Sequence, residues 1–203
     1  MFEKEYYIHQ KALVETEQIG NGTRIWAFVH ILSGVVIGRN CNIGDHCFIE
    51  NGVTIGDDVV VKNGVSLWEG VTIEDRVFVG PNVSFTNDHV PRAKMFHDKY
   101  EKILVKVGAS IGSNATIVAP RVIGRYAVIG AGAVVTQDVP DFGLVYGNPA
   151  RLQGWMCECG KRLVFVNEER AKCECKHEYV KNGSQVSPVR SSGPTGQAQI
   201  SNK

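Results

Sequence analysis

The 203-residue sequence has no surplus of charge of either sign: 22 basic side chains stand against 21 acidic ones, a formal net charge of +1. This removes any electrostatic pull towards nucleic acid or an anionic membrane surface, so neither partner is expected. No apolar run approaches the roughly 18 residues of a membrane span. The opening stretch MFEKEYYIHQKALVE lacks the basic segment and apolar run of a secretory signal. A cytoplasmic location is expected, and there the six cysteines are thiols or metal ligands rather than disulfides. The 43% hydrophobic and 21% charged content suits one sizeable soluble domain with a small appendage.

Helical periodicity is missing too, and a different period takes its place. Every sixth residue from Leu13 through Ile19, Ile25 and onward to Phe85 is large and apolar. Two positions earlier stands a small or β-branched residue, as at Thr23, Val29, Cys41, Cys47 and Val53, and Gly often follows the large residue. Six residues are three strand alternations, so the large side chain always points to the same side. Asn51-Gly52 and Asn63-Gly64 supply left-handed backbone for corners. Short strands and turns of this kind wind the chain into a prism, with slightly more than six coils of three hexads. An ordinary β-sandwich would not keep register over so many repeats. Cys41 and Cys47 fall on the small corner position and read as packing residues. Arg121 fits that position poorly, so a bulge or an outward side chain is expected there.

The count breaks after Phe85 and resumes at Val105, twenty residues later, so the segment of about 86–104 is an insertion that protrudes from the prism. The repeats end at Val139-Pro140. Beyond Trp155 come Cys157, Cys159, Cys173 and Cys175, two pairs with the hydrophobic segment Leu163–Val166 between them. Such pairs on a hairpin suit a structural Zn²⁺, with His177 able to replace one Cys; reduced thiols are the alternative. The expected organisation is 1–154 as the coiled domain, 155–181 as a zinc-ribbon-like segment and 182–203 as a disordered tail rich in Ser, Gly, Pro and Gln.

The hexad pattern resembles the hexapeptide-repeat left-handed parallel β-helix, an all-β fold. The phrases TRIWAFVHI, GPNVSFTNDHVPRA, IGAGAVV and GNPARLQGWM resemble the bacterial N-acetyltransferases of nucleotide-linked 3-amino sugars over residues 8–165. The group acetylating UDP-2-acetamido-3-amino-2,3-dideoxy-glucuronate, for surface polysaccharide, is the nearest in phrase. Enzymes of dTDP-3-amino-3,6-dideoxyhexoses share the same phrases. Ala27 stands where that family carries His, and Lys62-Asn63-Gly64 where it carries Gln-Asn-Asn. Both departures bear on the sugar.

The resemblance implies a homotrimer, acetyl-CoA in a groove between subunits, and direct attack of the sugar amine without a covalent intermediate. It places Asn87 beside the reacting groups, where its amide orients amine or thioester; an Asn capping the loop turn is the plain alternative. His89 is a candidate base, in competition with the leaving thiolate. His30, one residue before an inward Ile, should face outward, to the nucleotide sugar or to solvent. Asn63, Asp88 and Arg92 are candidates for the substrate's polar and anionic groups. Gly108, Ala109, Gly130 and Ala131 offer backbone amides to pantetheine, and Arg151 a guanidinium to a CoA phosphate. His97 reads as a solvated loop residue. A γ-type carbonic anhydrase would need three His at coil spacing, which His30, His46 and His89 do not have. A noncatalytic scaffold is the remaining alternative that the fold permits.

Overall fold

The computed structural model describes residues 5–189 apart from 96, 98 and 168. The chain is all-β, wound as a left-handed parallel β-helix of three faces. The first sheet stacks Tyr7–Ile8, Arg24–Ile25, Asn42–Ile43, Val60–Val61, Phe78–Val79, Ser110–Ile111, Val128–Ile129 and Gly143–Gly147 in parallel. The second runs in seven strands from Leu13–Val14 to Val134–Val135, and the third in five from Val36–Ile37 to Arg121–Ile123. Eight parallel rungs among the described residues exceed the six or so expected, because Tyr7–Ile8 and Gly143–Gly147 join the ladder without a full hexad signature.

Register shows how the period works. Neighbouring rungs are offset by 18 residues, as Ile25↔Ile43 and Ile43↔Val61 show. Across the insertion the offset is 32, as in Val79↔Ile111 and Ile73↔Val105, so the loop adds 14 residues and Val105 is the hexad successor of Phe85. The inward residues from Ile25 to Val135 are at most 2% exposed. Burying each large one is worth about 1.5–3 kcal/mol. The bottom coil is the exception. Leu13 is 57% exposed, and Val14 takes the inward place opposite Ile31. The hexad count therefore begins at Ile19 and not at Leu13, because the lowest rung is offset by 17 residues.

Small residues occupy the corners because side chains there lie against the next coil. Thr23 Oγ1 donates to the Gly38 carbonyl at 2.8 Å, and the Cys41 and Cys47 thiols to the Gly56 and Lys62 carbonyls at 3.0 and 3.2 Å. The two thiols are the packing residues the pattern indicates. Left-handed corners are filled by Gly52 and Gly64 (φ 78° and 72°) but also by Phe28, Tyr126 and Phe142 (φ 59°, 52° and 63°). A bulky L-residue in this region costs about 1–2 kcal/mol. Stacking gives some of this back: Tyr126 lies on Phe142 at 5.7 Å and Phe28 on His46 at 4.9 Å, both at 12° between ring planes. Arg121 is half-buried at the start of its strand. Its Nη1 donates to the Pro120 carbonyl, while its Nε is buried without a partner among the described residues.

The top of the helix continues without a break into a cap. Ala150–Met156 turns back antiparallel on Gly143–Gly147 and carries Arg162–Leu163 on its other side, so the boundary expected at 154 falls inside a strand. Arg170–Lys172, Glu178–Asn182 and Gln185–Pro188 form a separate antiparallel sheet. The disordered tail expected from 182 is thus corrected for Asn182–Pro188, where Val186 enters the cap's core at 5% exposure. Gln185, Val186, Ser187 and Pro188 pair in turn with Asn182, Lys181, Val180 and Tyr179 of the preceding strand. The remainder of that expected tail, from 190, lies outside the described residues.

Candidate functional site

The insertion leaves at the corner between the second and third sheets. Its base is clipped: the Asn87 carbonyl accepts the Glu101 N–H at 3.0 Å, and Asn87 Nδ2 donates to the Glu69 carbonyl of the coil below at 3.4 Å. The returning chain passes so close that a Cβ on Gly70 (φ 95°) would lie 2.6 Å from the Glu101 carbonyl oxygen. Only glycine meets both demands there. Thr86 Oγ1 accepts the Ala119 N–H from above at 3.0 Å, tying the exit to the next coil. Asn87 is therefore both the loop's anchor and a half-buried amide at its mouth.

Asn87, Asp88, His89, Val90, His97, Lys99 and Glu101 line an open cavity of about 190 Å³. Asp88 accepts the Val90 N–H through Oδ1 at 2.9 Å and faces His97 Nε2 through Oδ2 at 3.4 Å. His97 is exposed, as the sequence reading has it, and is in addition a partner of Asp88, with its ring edge-on to Tyr100 at 6.3 Å. The loop has no period that would bring positions nine apart together, so the sequence carried no signal for this pair. His89 is exposed at the cavity's rim. Arg92 is exposed and turned back, donating to the Pro91 carbonyl at 2.9 Å, so it is not aimed at the cavity.

His30 faces outward on the second sheet as expected. Its Nε2 lies 3.0 Å from Glu15 Oε1 and its ring is edge-on to Phe48 at 5.5 Å. Phe48 in turn contacts Trp68 at 5.4 Å, and Trp68 precedes the Glu69 that holds Asn87. A row of rings thus climbs from His30 to the loop base. Three coils separate the rungs of His30 and Ser84, about 14 Å. Asn63 is exposed on the corner between the first and second sheets, at the other end of the second-sheet strands from Asn87. Within one protomer the two do not meet.

The four residues expected along the CoA groove divide between two edges. Gly108 and Ala109 lie on the third-to-first corner, Gly130 and Ala131 on the first-to-second corner. Gly108 is covered by the Tyr126 ring, whose Cε1 would be 2.4 Å from a Cβ there. The N–H groups of Gly108, Ala109 and Gly130 already donate to the carbonyls of Asp75, Lys106 and Val145 at 3.0, 3.2 and 2.8 Å. The expectation of free amides on all four is corrected: the coil ladder uses two and a corner turn the third, so that of the four only Ala131 keeps an uncommitted N–H. Gly130 sits under Tyr146, which pairs across the strand with Arg151. Ala131, Tyr146 and Arg151 therefore converge at the top of that edge, with the exposed Arg151 donating to its neighbouring Ala150 carbonyl at 2.9 Å. On the same edge lower down, the Phe28–His46 stack with Lys11 Nζ 5.3 Å from the Phe28 ring escaped the sequence reading.

Burial pushes the coil thiols up, Cys47 to about 11, so neither Cys41 nor Cys47 offers a thiolate at neutral pH. The cap cysteines differ. The Sγ atoms of Cys157, Cys159, Cys173 and Cys175 lie within 4.8 Å of one another. These four thiols supply a full tetrahedral set without His177, whose Nδ1 stands 4.0 Å from Cys157 Sγ. The residues suit a structural zinc ion.

The bacterial transferase hexapeptide (six repeats) pattern matches residues 18–51 and 52–87, and the hexapeptide repeat of succinyl-transferase matches 106–137. The chain is 56% identical over 173 residues to dTDP-3-amino-3,6-dideoxy-alpha-D-galactopyranose 3-N-acetyltransferase of Aneurinibacillus thermoaerophilus, covering 85% of this chain and 90% of that protein. It is 30% identical to the bifunctional protein GlmU of Synechococcus over 71% of this chain and 30% of that one, so it spans under a third of that relative. Two solved structures share the fold. The acetyltransferase domain of PglB from Neisseria gonorrhoeae, in complex with acetyl coenzyme A, superposes with TM-score 0.51 at 21% identity over 74% of this chain and 58% of that one. A hexapeptide transferase family protein from Anaplasma phagocytophilum does so with TM-score 0.52 at 15% identity over 75% and 80%. With its repeats matched over 18–87 and 106–137, on either side of most of the insertion, and 56% identity over 173 residues to a nucleotide-sugar N-acetyltransferase, this chain belongs to the hexapeptide-repeat bacterial transferases, among the N-acetyltransferases of nucleotide-linked sugars.

Proposed function

We propose that the chain transfers acetyl from acetyl-CoA to the 3-amino group of a dTDP-linked 3-amino-3,6-dideoxyhexose, as a cytoplasmic homotrimer. The observation that carries this reading is the 56% identity over 173 residues to an enzyme whose name specifies a dTDP-3-amino-3,6-dideoxygalactose. It supports this sugar better than the UDP-linked uronate suggested by phrase comparison. A uronate carboxylate calls for a fixed cation, and Arg92, the residue offered for it, is turned onto Pro91.

The reaction needs a neutral amine, stabilisation of the carbonyl oxygen as it gains charge, and a proton acceptor. Asn87 has one amide N–H on Glu69 and keeps the rest of the group for the reacting atoms. His89 on the rim and the Asp88–His97 pair within are the available acceptors, alongside the leaving thiolate. The carboxylate of Asp88, 3.4 Å from His97 Nε2, orients the His97 ring. His30, about three coils below, serves the distal part of the nucleotide sugar, and Ala131 with Arg151 serves CoA. An acyl-cysteine route through the coils is excluded by the burial of both thiols.

The test is thiol release from acetyl-CoA with matched amino sugars. A kcat/KM at least about tenfold higher for the dTDP-3-amino-3,6-dideoxyhexose than for the UDP-3-amino uronate is expected. The reverse preference overturns the substrate, and no release with either leaves a scaffold. Light scattering should give the mass of three chains.

A further inference from the structure

Four thiols without a role in acetyl transfer meet at the far end of the molecule. Cys157 and Cys175 bring their Sγ atoms to 3.4 Å, Cys159 and Cys173 to 3.5 Å, and all four atoms lie within 4.8 Å. Sulfurs at about 2.3 Å from a tetrahedral zinc ion lie about 3.8 Å from each other, the size of this cluster. A disulfide needs about 2.05 Å, and all four are free thiols.

The backbone around them is built twice over. Cys-Glu-Cys-Gly-Lys at 157–161 and Cys-Glu-Cys-Lys-His at 173–177 close the same turn. The Cys157 N–H donates to the Lys161 carbonyl at 2.8 Å and the Gly160 N–H to the Cys157 carbonyl at 2.9 Å. The Cys173 N–H donates to the His177 carbonyl at 2.9 Å and the Lys176 N–H to the Cys173 carbonyl at 2.8 Å. The fourth residue is left-handed in both, Gly160 at φ 83° and Lys176 at φ 75°. A non-glycine residue held there marks a turn that its surroundings over-determine. Two equivalent turns, each presenting two thiols to a common point, form a ligand set with no open position, which suits a structural ion.

The cluster is also tied to the coils. Tyr179, 1% exposed, places its hydroxyl 3.2 Å from Cys157 Sγ and accepts the Glu158 N–H at 3.1 Å. Its ring meets Phe142 edge-on at 5.3 Å, and Phe142 stacks on Tyr126 of the coil below. The cap's own core is small, and a core of that size calls for a staple.

We propose that the four cap cysteines hold one zinc ion in a closed tetrathiolate site, and that the ion fastens the cap to the last coil through Tyr179 and Phe142. Each S–H that becomes an S–Zn bond gives its proton to solvent, so uptake releases up to four protons. The full-length protein, purified without chelator, is expected to contain about one zinc per chain by elemental analysis, released by a mercurial thiol reagent. Cobalt exchanged into the site should show the absorption of a tetrahedral thiolate complex. Cys159→Ser and Cys175→Ser should each lose most of the metal, while Glu158→Gln keeps it. Chelation of the wild-type protein should lower the melting temperature by at least about 5 °C. Zinc below about 0.2 per chain, with four reactive thiols or with the mass of a disulfide, overturns the site. An unchanged melting temperature after metal removal overturns the fastening. The wild-type measurements decide even where a Cys variant fails to fold.

Discussion

The coil stack and the C-terminal cap both have to remove apolar surface from water, and they do so in opposite ways. In the stack every eighteen residues bring their own share of core, with Ile25, Ile43, Val61 and Val79 rising in one column. Each rung is completed by its neighbours alone, so a long cylinder forms with no covalent or metal link. In the cap a handful of residues from separate segments, among them Phe142, Trp155, Leu163, Tyr179 and Val186, converge on one small centre beside the thiol cluster. A repeat spreads its core along the sequence; a cap gathers one from distant pieces. The loop at 86–102 belongs to neither, since it leaves and rejoins the stack without removing a rung.

This contrast can be broken at several points. Ile49→Ala removes a fully buried rung residue and should cost about 2–5 kcal/mol in denaturant unfolding, with little change in metal content. A cost below about 1 kcal/mol would mean the stack absorbs the cavity and is not built rung by rung. Asn87→Ala should do the opposite: kcat/KM falls by about a hundredfold while the melting temperature moves less than about 2 °C. A large loss of stability instead would reduce Asn87 to a loop anchor. Alanine at His89 and at His97, measured separately, divides the proton acceptor's role. The residue whose loss costs under about tenfold in kcat/KM is set aside, and if both do, the leaving thiolate takes the proton. Tyr179→Phe leaves the Glu158 N–H without an acceptor and should cost about 1 kcal/mol, read as a shift of the cap's unfolding.

The smallest effect belongs to the surface of the stack. The Arg39 N–H, 2.7 Å from Asp57 Oδ1, and the Arg39 guanidinium hold the Asp57 carboxyl below its ordinary range. A depressed carboxyl stabilises the fold above the unfolded pKa of about 4, and this is lost as pH falls through its folded value. Asp57→Asn should therefore lower the melting temperature slightly at neutral pH, with the difference closing in acid. A difference that widens in acid would assign the effect to another group.

Much of the stack could be read directly, because its contacts are periodic. Inward Ile and Val, small corners and the packing of Cys41 and Cys47 all follow from counting by six. Counting by eighteen reaches further. Gly108 and Gly130 are 22 apart, which is not a whole coil, so they stand on different edges; Gly112 and Gly130 share one. Asn63 and Asn87, 24 apart in the run before the break, fail the same test. Leu13 departs from the count because the lowest rung is one residue short. The Asp88–His97 pair, the aromatic row from His30 to Trp68 and the turned-back Arg92 have no periodic signature.

By itself the sequence determined a prism of hexapeptide coils, the place of the break, and four cysteines able to meet. These follow from a strand alternation of two and a coil of three hexads, which fix each side chain's direction without reference to distant residues. Only the tertiary structure decided which loop side chains face the Asn87 cavity, which amides the ladder leaves free, and that the chain after 182 closes a sheet on Tyr179. Those outcomes depend on contacts between segments with no common period, and there direction is set by packing and not by count.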